Sequence, residues 1–225
     1  MSVEANISSG LRPPAPLIGR RSRNISVGRG LDIILTILAL VFLAPLMFVV
    51  GAVVWLQDGG PCFYAQTRIG RGGITFKCLK FRSMLVDADQ RLLALLARDP
   101  VAKAEWERDH KLRNDPRITA IGSFLRRSSL DEIPQLVNVL RGEMSLVGPR
   151  PIVAAEASRY GRYMRDYCSV TPGITGLWQV SGRNDVSYRR RVALDVTYAR
   201  SKSLWLDLKI LAATIPAVLL RKGSY

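Results

Sequence analysis

The sequence predicts a mostly helical α+β protein held at a membrane, and three observations predict it. Residues Ile33–Leu56 form 24 consecutive positions without a charge. Two short segments alternate apolar and polar residues on either side of Gly70, Arg71, Gly72 and Gly73. Beyond them, apolar residues recur chiefly at helical spacing between charged ones. Setting aside the N-terminal tail and the apolar run leaves about 170 residues, enough for one domain with a real core.

Residues 1–29 place Pro13, Pro14 and Pro16 beside Ser, Gly and Arg without apolar periodicity, and read as a flexible basic tail. Five arginines in that tail face only Glu4, and residues 57–225 carry 28 Lys and Arg against 16 Asp and Glu. The net charge of +15 suits anionic headgroups, phosphorylated substrates or nucleic acid, and does not choose among them.

The apolar run, residues 30–57 with its borders, is long enough to matter, since about 20 helical residues cross a bilayer core of about 30 Å. Pro45 removes a backbone donor and crowds the preceding turn, so a kink or break is expected there, leaving half-helices of about 17 Å. Arg20, Arg21, Arg23 and Arg29 precede the run, and Arg68, Arg71, Lys77, Lys80 and Arg82 follow it. Basic flanks mark cytoplasmic ends. Two readings stay open: a re-entrant hairpin whose broken backbone is covered by protein, or a single span kinked at proline. A cleaved leader fits poorly, because the run exceeds the usual apolar length and no small-residue cleavage site follows. Cys62, Cys78 and Cys168 are odd in number and lack C-x-x-C spacing, which suggests a reducing compartment and buried filler roles.

Cys62–Ile69 and Ile74–Phe81 read as a β-hairpin. Its glycine cluster is read as a turn rather than a phosphate cradle, because no helix follows to supply amide donors. From Asp87 to Lys111 the pattern is helical, with Leu92, Leu93, Leu95 and Leu96 inward and an interruption at Pro100. The only histidine, His110, sits in a charged run and reads as a solvated surface residue.

Phe124–Pro151 holds the densest polar information. Ser129-Leu130-Asp131-Glu132 before an apolar helix has the form of a capping box, which alone explains both acids. Arg126 and Arg127 precede the pair, and Arg150 lies between Pro149 and Pro151. Arginine forks bind phosphate through two bonds. Adjacent carboxylates near such arginines suit phosphoryl transfer, one attacking phosphorus while the other holds a divalent cation. Pro172–Arg183 reads as a loop, short strand and turn, with Arg183 either a surface residue or a nucleotide-phosphate ligand. Arg189, Arg190 and Arg191 open a helix as a solvated or headgroup-facing stripe. The last helix, about Ser203 to Leu220, has Trp205 at its start and then an apolar stretch too short to span; it is either interfacial or simply buried. No zinc-finger spacing and no aromatic RNA-binding signature is present, so nucleic acid is not expected as a partner.

Taken in order, the proline-interrupted apolar run, K-F-R-S-M at Lys80–Met84, S-L-D-E-I-P-Q-L-V-N-V-L at Ser129–Leu140, S-L-V-G-P-R-P at Ser145–Pro151 and P-G-I-T-G-L-W-Q-V-S-G-R at Pro172–Arg183 resemble the bacterial sugar transferases. These are polyprenyl-phosphate hexose-1-phosphate transferases. The resemblance covers Gly30 to the C-terminus and is closest to the branch that starts succinoglycan-type exopolysaccharide with galactosyl phosphate.

The resemblance implies transfer of a hexose-1-phosphate, galactose or glucose, from a UDP-sugar to undecaprenyl phosphate with release of UMP. It places the reaction on the cytoplasmic face of the bacterial inner membrane. It implies a covalent phosphosugar on Asp131 and a Mg²⁺ held with help from Glu132. Arg126 and Arg150 would hold phosphates, Arg183 would lie near the nucleotide, and Lys80 and Arg82 match the K-F-R motif. The implied fold is monotopic: a re-entrant helix-break-helix at 30–57, amphipathic interfacial helices and a small sheet, with a cytoplasmic transferase domain over 58–225. One departure is Ala44-Pro45 where some relatives have Ser-Pro, which removes a hydroxyl able to cap freed carbonyls. Two other readings are kept: a glycosyltransferase that releases UDP, and a membrane-tethered basic protein that binds lipid or nucleic acid without turnover.

Overall fold

A computed structural model of the chain describes residues 27–109, 112, 114–182 and 186–219. The tail reading over 1–26, the surface reading of His110, the phosphate reading of Arg183 and the last residue of the expected C-terminal helix lie outside the described residues.

Helix α1 spans Val27–Asp58, 32 residues including Pro45. The helix runs through the proline, so the expected break is not a gap in it, although Pro45 has no donor to give the ladder. Of the most apolar stretch of α1 only 11% of residues are buried, which sets it apart from a core helix. Among the described residues it is the one helix long and apolar enough to cross a membrane.

Both ends of α1 nonetheless touch the same globular body. Near its start, Arg29 donates from Nη1 to the Val139 carbonyl at 2.7 Å and from Nη2 to the Leu140 carbonyl at 3.0 Å. One turn on, Asp32 accepts from Ser145 Oγ at 2.8 Å and from the Leu146 amide at 3.1 Å. Near its end, Val50 and Val54 are buried with Phe81 and Leu125. Each such valine contributes about 1.5–3 kcal/mol by leaving water. Cys62 Sγ, just past the helix, donates to the Gly51 carbonyl at 3.2 Å. Between these attachments, Val41, Phe42, Leu46 and Phe48 are exposed around Pro45.

Strands β1 (Phe63–Ile69) and β2 (Thr75–Phe81) pair antiparallel, with Phe63 opposite Phe81 and Ile69 opposite Thr75. A single 3₁₀ turn at Arg71–Gly73 joins them, and Gly72 and Gly73 take φ of 71° and 78°, which glycine alone adopts without strain. Helices α2 (Ala88–Arg98) and α3 (Pro100–Asp109) meet at the expected proline. Leu92 is buried there, but Leu93 is exposed, because one residue on the helix turns the side chain about 100° off the inner face.

Helix α4 covers Ala120–Ser128 and α5 covers Gln135–Arg141, with a 3₁₀ turn at Leu130–Glu132 between them. Phe76 and Cys78 of β2 pack on Val139 and Met144, which fixes α5 across the hairpin. Strands β3 (Ser145–Val147) and β4 (Gly173–Thr175) form a short parallel pair. Gly148 follows β3 so closely against β4 that an added Cβ would lie 2.4 Å from the Thr171 carbonyl oxygen. Helices α6 (Ala157–Tyr160), α7 (Met164–Ser169) and α8 (Leu177–Val180) are short, and α8 stands where a turn was expected. Helices α9 (Tyr188–Ser201) and α10 (Leu204–Leu219) close the body, with Tyr198 and Ile210 buried against Val147 and Val170. Trp205 on α10 is 67% exposed, so this helix is buried along one side only.

Candidate active site

The acidic pair sits in the turn between α4 and α5, and the turn is not a capping box. Ser129 has φ 59° and ends α4, its amide bonding back to the Arg126 carbonyl at 3.2 Å, while Pro134 takes the N-cap position of α5. Ser129 Oγ caps nothing. The capping explanation of Asp131 and Glu132 is therefore corrected: a left-handed serine closes one helix instead of opening the next, and both carboxylates are free to face β2.

Strand β2 brings Lys80 to them. Lys80 Nζ lies 2.7 Å from Glu132 Oε1 and 3.7 Å from Asp131 Oδ2. Arg150 also reaches Glu132, with Nη2 at 2.7 Å from Oε1 and Nη1 at 3.4 Å from Oε2. Arg126 donates from Nε to Ser83 Oγ at 2.8 Å, and its charge also acts on Asp131. Lys80, Arg126 and Arg150 thus surround the acidic pair. Arg82 does not join them. It is 8% exposed and turns to the end of α1, donating to Asp58 and to the Val54 carbonyl.

The two acids differ in charge behaviour. Burial pushes the Asp131 carboxyl above the usual carboxylate range, Lys80 works against that rise and the neighbouring Glu132 adds to it. Burial also acts on Glu132, but the charges and hydrogen bonds of Arg150 and Lys80 outweigh it and hold that carboxyl well below its usual range. Glu132 in turn raises the Arg150 guanidinium. Neighbouring groups pushed in opposite directions are a mark of divided chemical roles. At 7% exposure Asp131 is enclosed, yet it lies against the basic cluster rather than away from it.

Among the described residues no three His, Cys, Asp or Glu side chains converge on a metal site. The donors suit a hard divalent cation that takes one or two carboxylates and completes its shell with phosphate oxygens and water. Glu132 Oε2, with only its long contact to Arg150, and the Asp131 oxygens are the donors on hand.

Two residues with no expected role at the site hold this arrangement. Asn138, fully buried on α5, accepts the Leu79 amide at 2.9 Å and donates to the Lys77 carbonyl at 2.8 Å, so it fixes β2 next to Lys80. An asparagine amid Leu, Val and Val on a buried helix face is the signal that marks it. Arg68 donates to the Pro151 carbonyl at 3.0 Å, and the Ile69 amide bonds the Ile152 carbonyl at 2.9 Å. With Gly173 N bonding the Pro149 carbonyl at 2.9 Å, the loop that carries Arg150 is held from both sides. Nothing local in the sequence marks Arg68 for that task.

Residues 23–221 match the profile of the bacterial sugar transferase family. The chain is 51% identical over 215 residues to a Salmonella typhimurium protein named undecaprenyl-phosphate galactose phosphotransferase, covering 96% of this chain and 44% of that protein. It is 51% identical over 197 residues to the exopolysaccharide production protein ExoY of Sinorhizobium fredii, covering 88% of this chain and 87% of the relative. To the UDP-galactose-lipid carrier transferase of Erwinia amylovora it is 58% identical over 169 residues, 75% of this chain and 35% of the relative. The chain therefore spans less than half of two of these relatives and most of the third.

Proposed function

Because the chain belongs to the bacterial sugar transferase family, we propose that it transfers a hexose-1-phosphate from a UDP-sugar to undecaprenyl phosphate and releases UMP. The observation that carries this reading is the enclosed Asp131 carboxylate, flanked by Lys80 and by a Glu132 that is itself gripped by Lys80 and Arg150. Names of the relatives, which include a galactose phosphotransferase and a UDP-galactose-lipid carrier transferase, support the donor and acceptor classes.

In the first half-reaction an Asp131 carboxylate oxygen attacks the phosphorus bonded to the sugar. An acyl phosphate bond forms, the bond between the two phosphates breaks, and UMP leaves with the electron pair. In the second, a phosphate oxygen of the lipid attacks the same phosphorus and Asp131 leaves as a carboxylate. Burial favours the protonated form of Asp131, so the charge of Lys80 serves to keep it ionised and ready to attack. Arg126 and Arg150 offset the negative charge that gathers on the phosphoryl oxygens. Arg183 is assigned the nucleotide side on family resemblance alone. Glu132 and Asp131 would hold a Mg²⁺, which when bound supplies positive charge to the donor's phosphates.

A re-entrant course for α1 on the cytoplasmic face of the inner membrane belongs to the same proposal. Attachment of both helix ends to one body, with an exposed apolar middle around Pro45, supports it. Such a course lays the site at the surface where a polyprenyl phosphate presents its headgroup to a water-soluble donor.

The test is incubation of the full chain with a panel of UDP-sugars, with and without undecaprenyl phosphate. UMP and a phosphosugar on Asp131 are expected, the adduct accumulating when the lipid is withheld. Release of UDP would mean glycosyl transfer instead, and salt-sensitive binding without turnover would leave only a basic membrane protein.

A further inference from the structure

Four consecutive residues, Lys80-Phe81-Arg82-Ser83, join three parts of the molecule: the acidic turn, the end of α1 and helix α4. Lys80 grips Glu132 and faces Asp131. Phe81 is buried with Val50 and Val54, and an added Cβ on Gly51 would stand 3.9 Å from its ring. Arg82 donates from Nη1 to Asp58 Oδ2 at 2.8 Å and from Nη2 to both Asp58 Oδ1 and the Val54 carbonyl, the latter at 3.2 Å. Ser83 accepts Arg126 Nε at 2.8 Å through Oγ and the Thr119 amide at 3.2 Å through its carbonyl. Helix α4 is pressed onto that carbonyl: an added Cβ on Gly122 would fall 1.9 Å from it.

The clasp between Arg82 and Asp58 is built rather than incidental. Val54 and Asp58 lie in the last turns of α1, and the guanidinium takes the Val54 carbonyl and the Asp58 carboxylate together. Asp58 is fixed further by accepting the Gly60 amide at 3.1 Å. Gly60 itself is pressed against the guanidinium, where a Cβ would lie 2.7 Å from Nη1. The guanidinium is buried and its Nε has no partner among the described residues, so losing Asp58 would leave a largely buried charge uncompensated.

We infer that Arg82 and Asp58 are positioning residues that tie the end of the apolar helix to the catalytic strand, so that the seating of α1 sets where Lys80 and Arg126 stand about Asp131. Neither residue touches the acidic pair. Their effect passes through Phe81 to Lys80 on one side and through Ser83 to Arg126 on the other. The inference rests on the transferase reading for its kinetic consequence and on the contacts alone for its structural one.

The test uses the full chain in lipid nanodiscs, with Asp58→Asn, Arg82→Gln and the double variant. Each single change is expected to lower kcat about tenfold, as small misplacements of catalytic groups do, and the double change to lower it no further. The loss should fall on kcat with KM for the UDP-sugar changed much less, because the displaced groups act about the attacking carboxylate. Amide exchange should quicken within residues 119–132 in every variant, and within residues 80–84 in Asp58→Asn, away from the altered side chain in each case. Wild-type rate and exchange in Asp58→Asn would overturn the inference, as would a loss carried by KM alone or losses that multiply in the double variant. Should Asp58→Asn fail to fold, Asp58→Glu keeps the charge, shifts it by one methylene and is judged by the same three readouts. A wild-type chain inactive on every UDP-sugar would sink the transferase reading, and the exchange measurement would still decide the clasp.

Discussion

Arg150 holds Glu132 through both terminal guanidinium nitrogens, at 2.7 Å and 3.4 Å, so the loop between β3 and α6 is fastened to the turn between α4 and α5 by a single side-chain pair. Lys80 shares the same carboxylate. Glu132→Gln removes the anion that Lys80 and Arg150 share and is expected to cost about 1–2 kcal/mol, measured by denaturant unfolding at neutral pH. The cost is less than for a fully buried pair because the Arg150 side chain is 38% exposed and Lys80 keeps Asp131. The sign with pH follows from the lowered carboxyl: its stabilisation is present above the unfolded value of 4.5 and is lost as pH falls below it. Glu132→Gln should therefore flatten the acid side of the stability profile.

Asp131→Asn removes the attacking oxygen while keeping shape. Turnover should fall at least about a thousandfold, and no phosphosugar should appear on the protein by intact mass. Stability should hold or rise slightly, because burial already disfavours the ionised acid at this position. An active Asp131→Asn chain would remove Asp131 as nucleophile.

Asp195 offers a stability test outside the site. It is buried, Oδ2 accepts the Tyr160 hydroxyl at 2.7 Å, and Oδ1 has no partner. Burial pushes its carboxyl up to about 7 from 3.8, with Tyr160 and Arg191 acting against the rise. A raised carboxyl favours the fold below 3.8 and withdraws that support as pH climbs through about 7. Asp195→Asn should be the more stable chain at pH 8, by up to about 4 kcal/mol, with the difference vanishing in acid.

Asn138→Leu keeps volume but strips both bonds to β2. The Leu79 amide and the Lys77 carbonyl then lose their buried partner, which should cost about 3 kcal/mol in unfolding experiments. Because Lys80 lies next along the strand, turnover should fall with stability; loss of stability with an unchanged rate would show that β2 keeps its place without Asn138.

The apolar helix, the β-hairpin and the helix pair at Pro100 are legible in the sequence because each rests on local periodicity and turn chemistry. Arg126, Asp131, Glu132 and Arg150 are legible as residue types suited to phosphoryl transfer and Lys80 only through its K-F-R motif, and the chain brings them together by tertiary packing that no local pattern encodes. The Ser129 capping box misleads for a local reason: the same four letters fit a left-handed helix end followed by a 3₁₀ turn. Arg82 sits two residues from Lys80, but the strand ends between them at Phe81, and the chain's exit turns Arg82 to α1. Asn138 and Arg68 act across 59 and 83 residues of sequence, distances over which spacing carries no information.

Cys62 stands at the junction where α1 leaves for the hairpin, half-buried with its thiol on the Gly51 carbonyl, while Cys78 and Cys168 are buried and burial raises both of their thiols. The native chain therefore carries its own reporter. A maleimide should modify Cys62 first, and the speed of that reaction reads out, without any engineered handle, how often the junction opens.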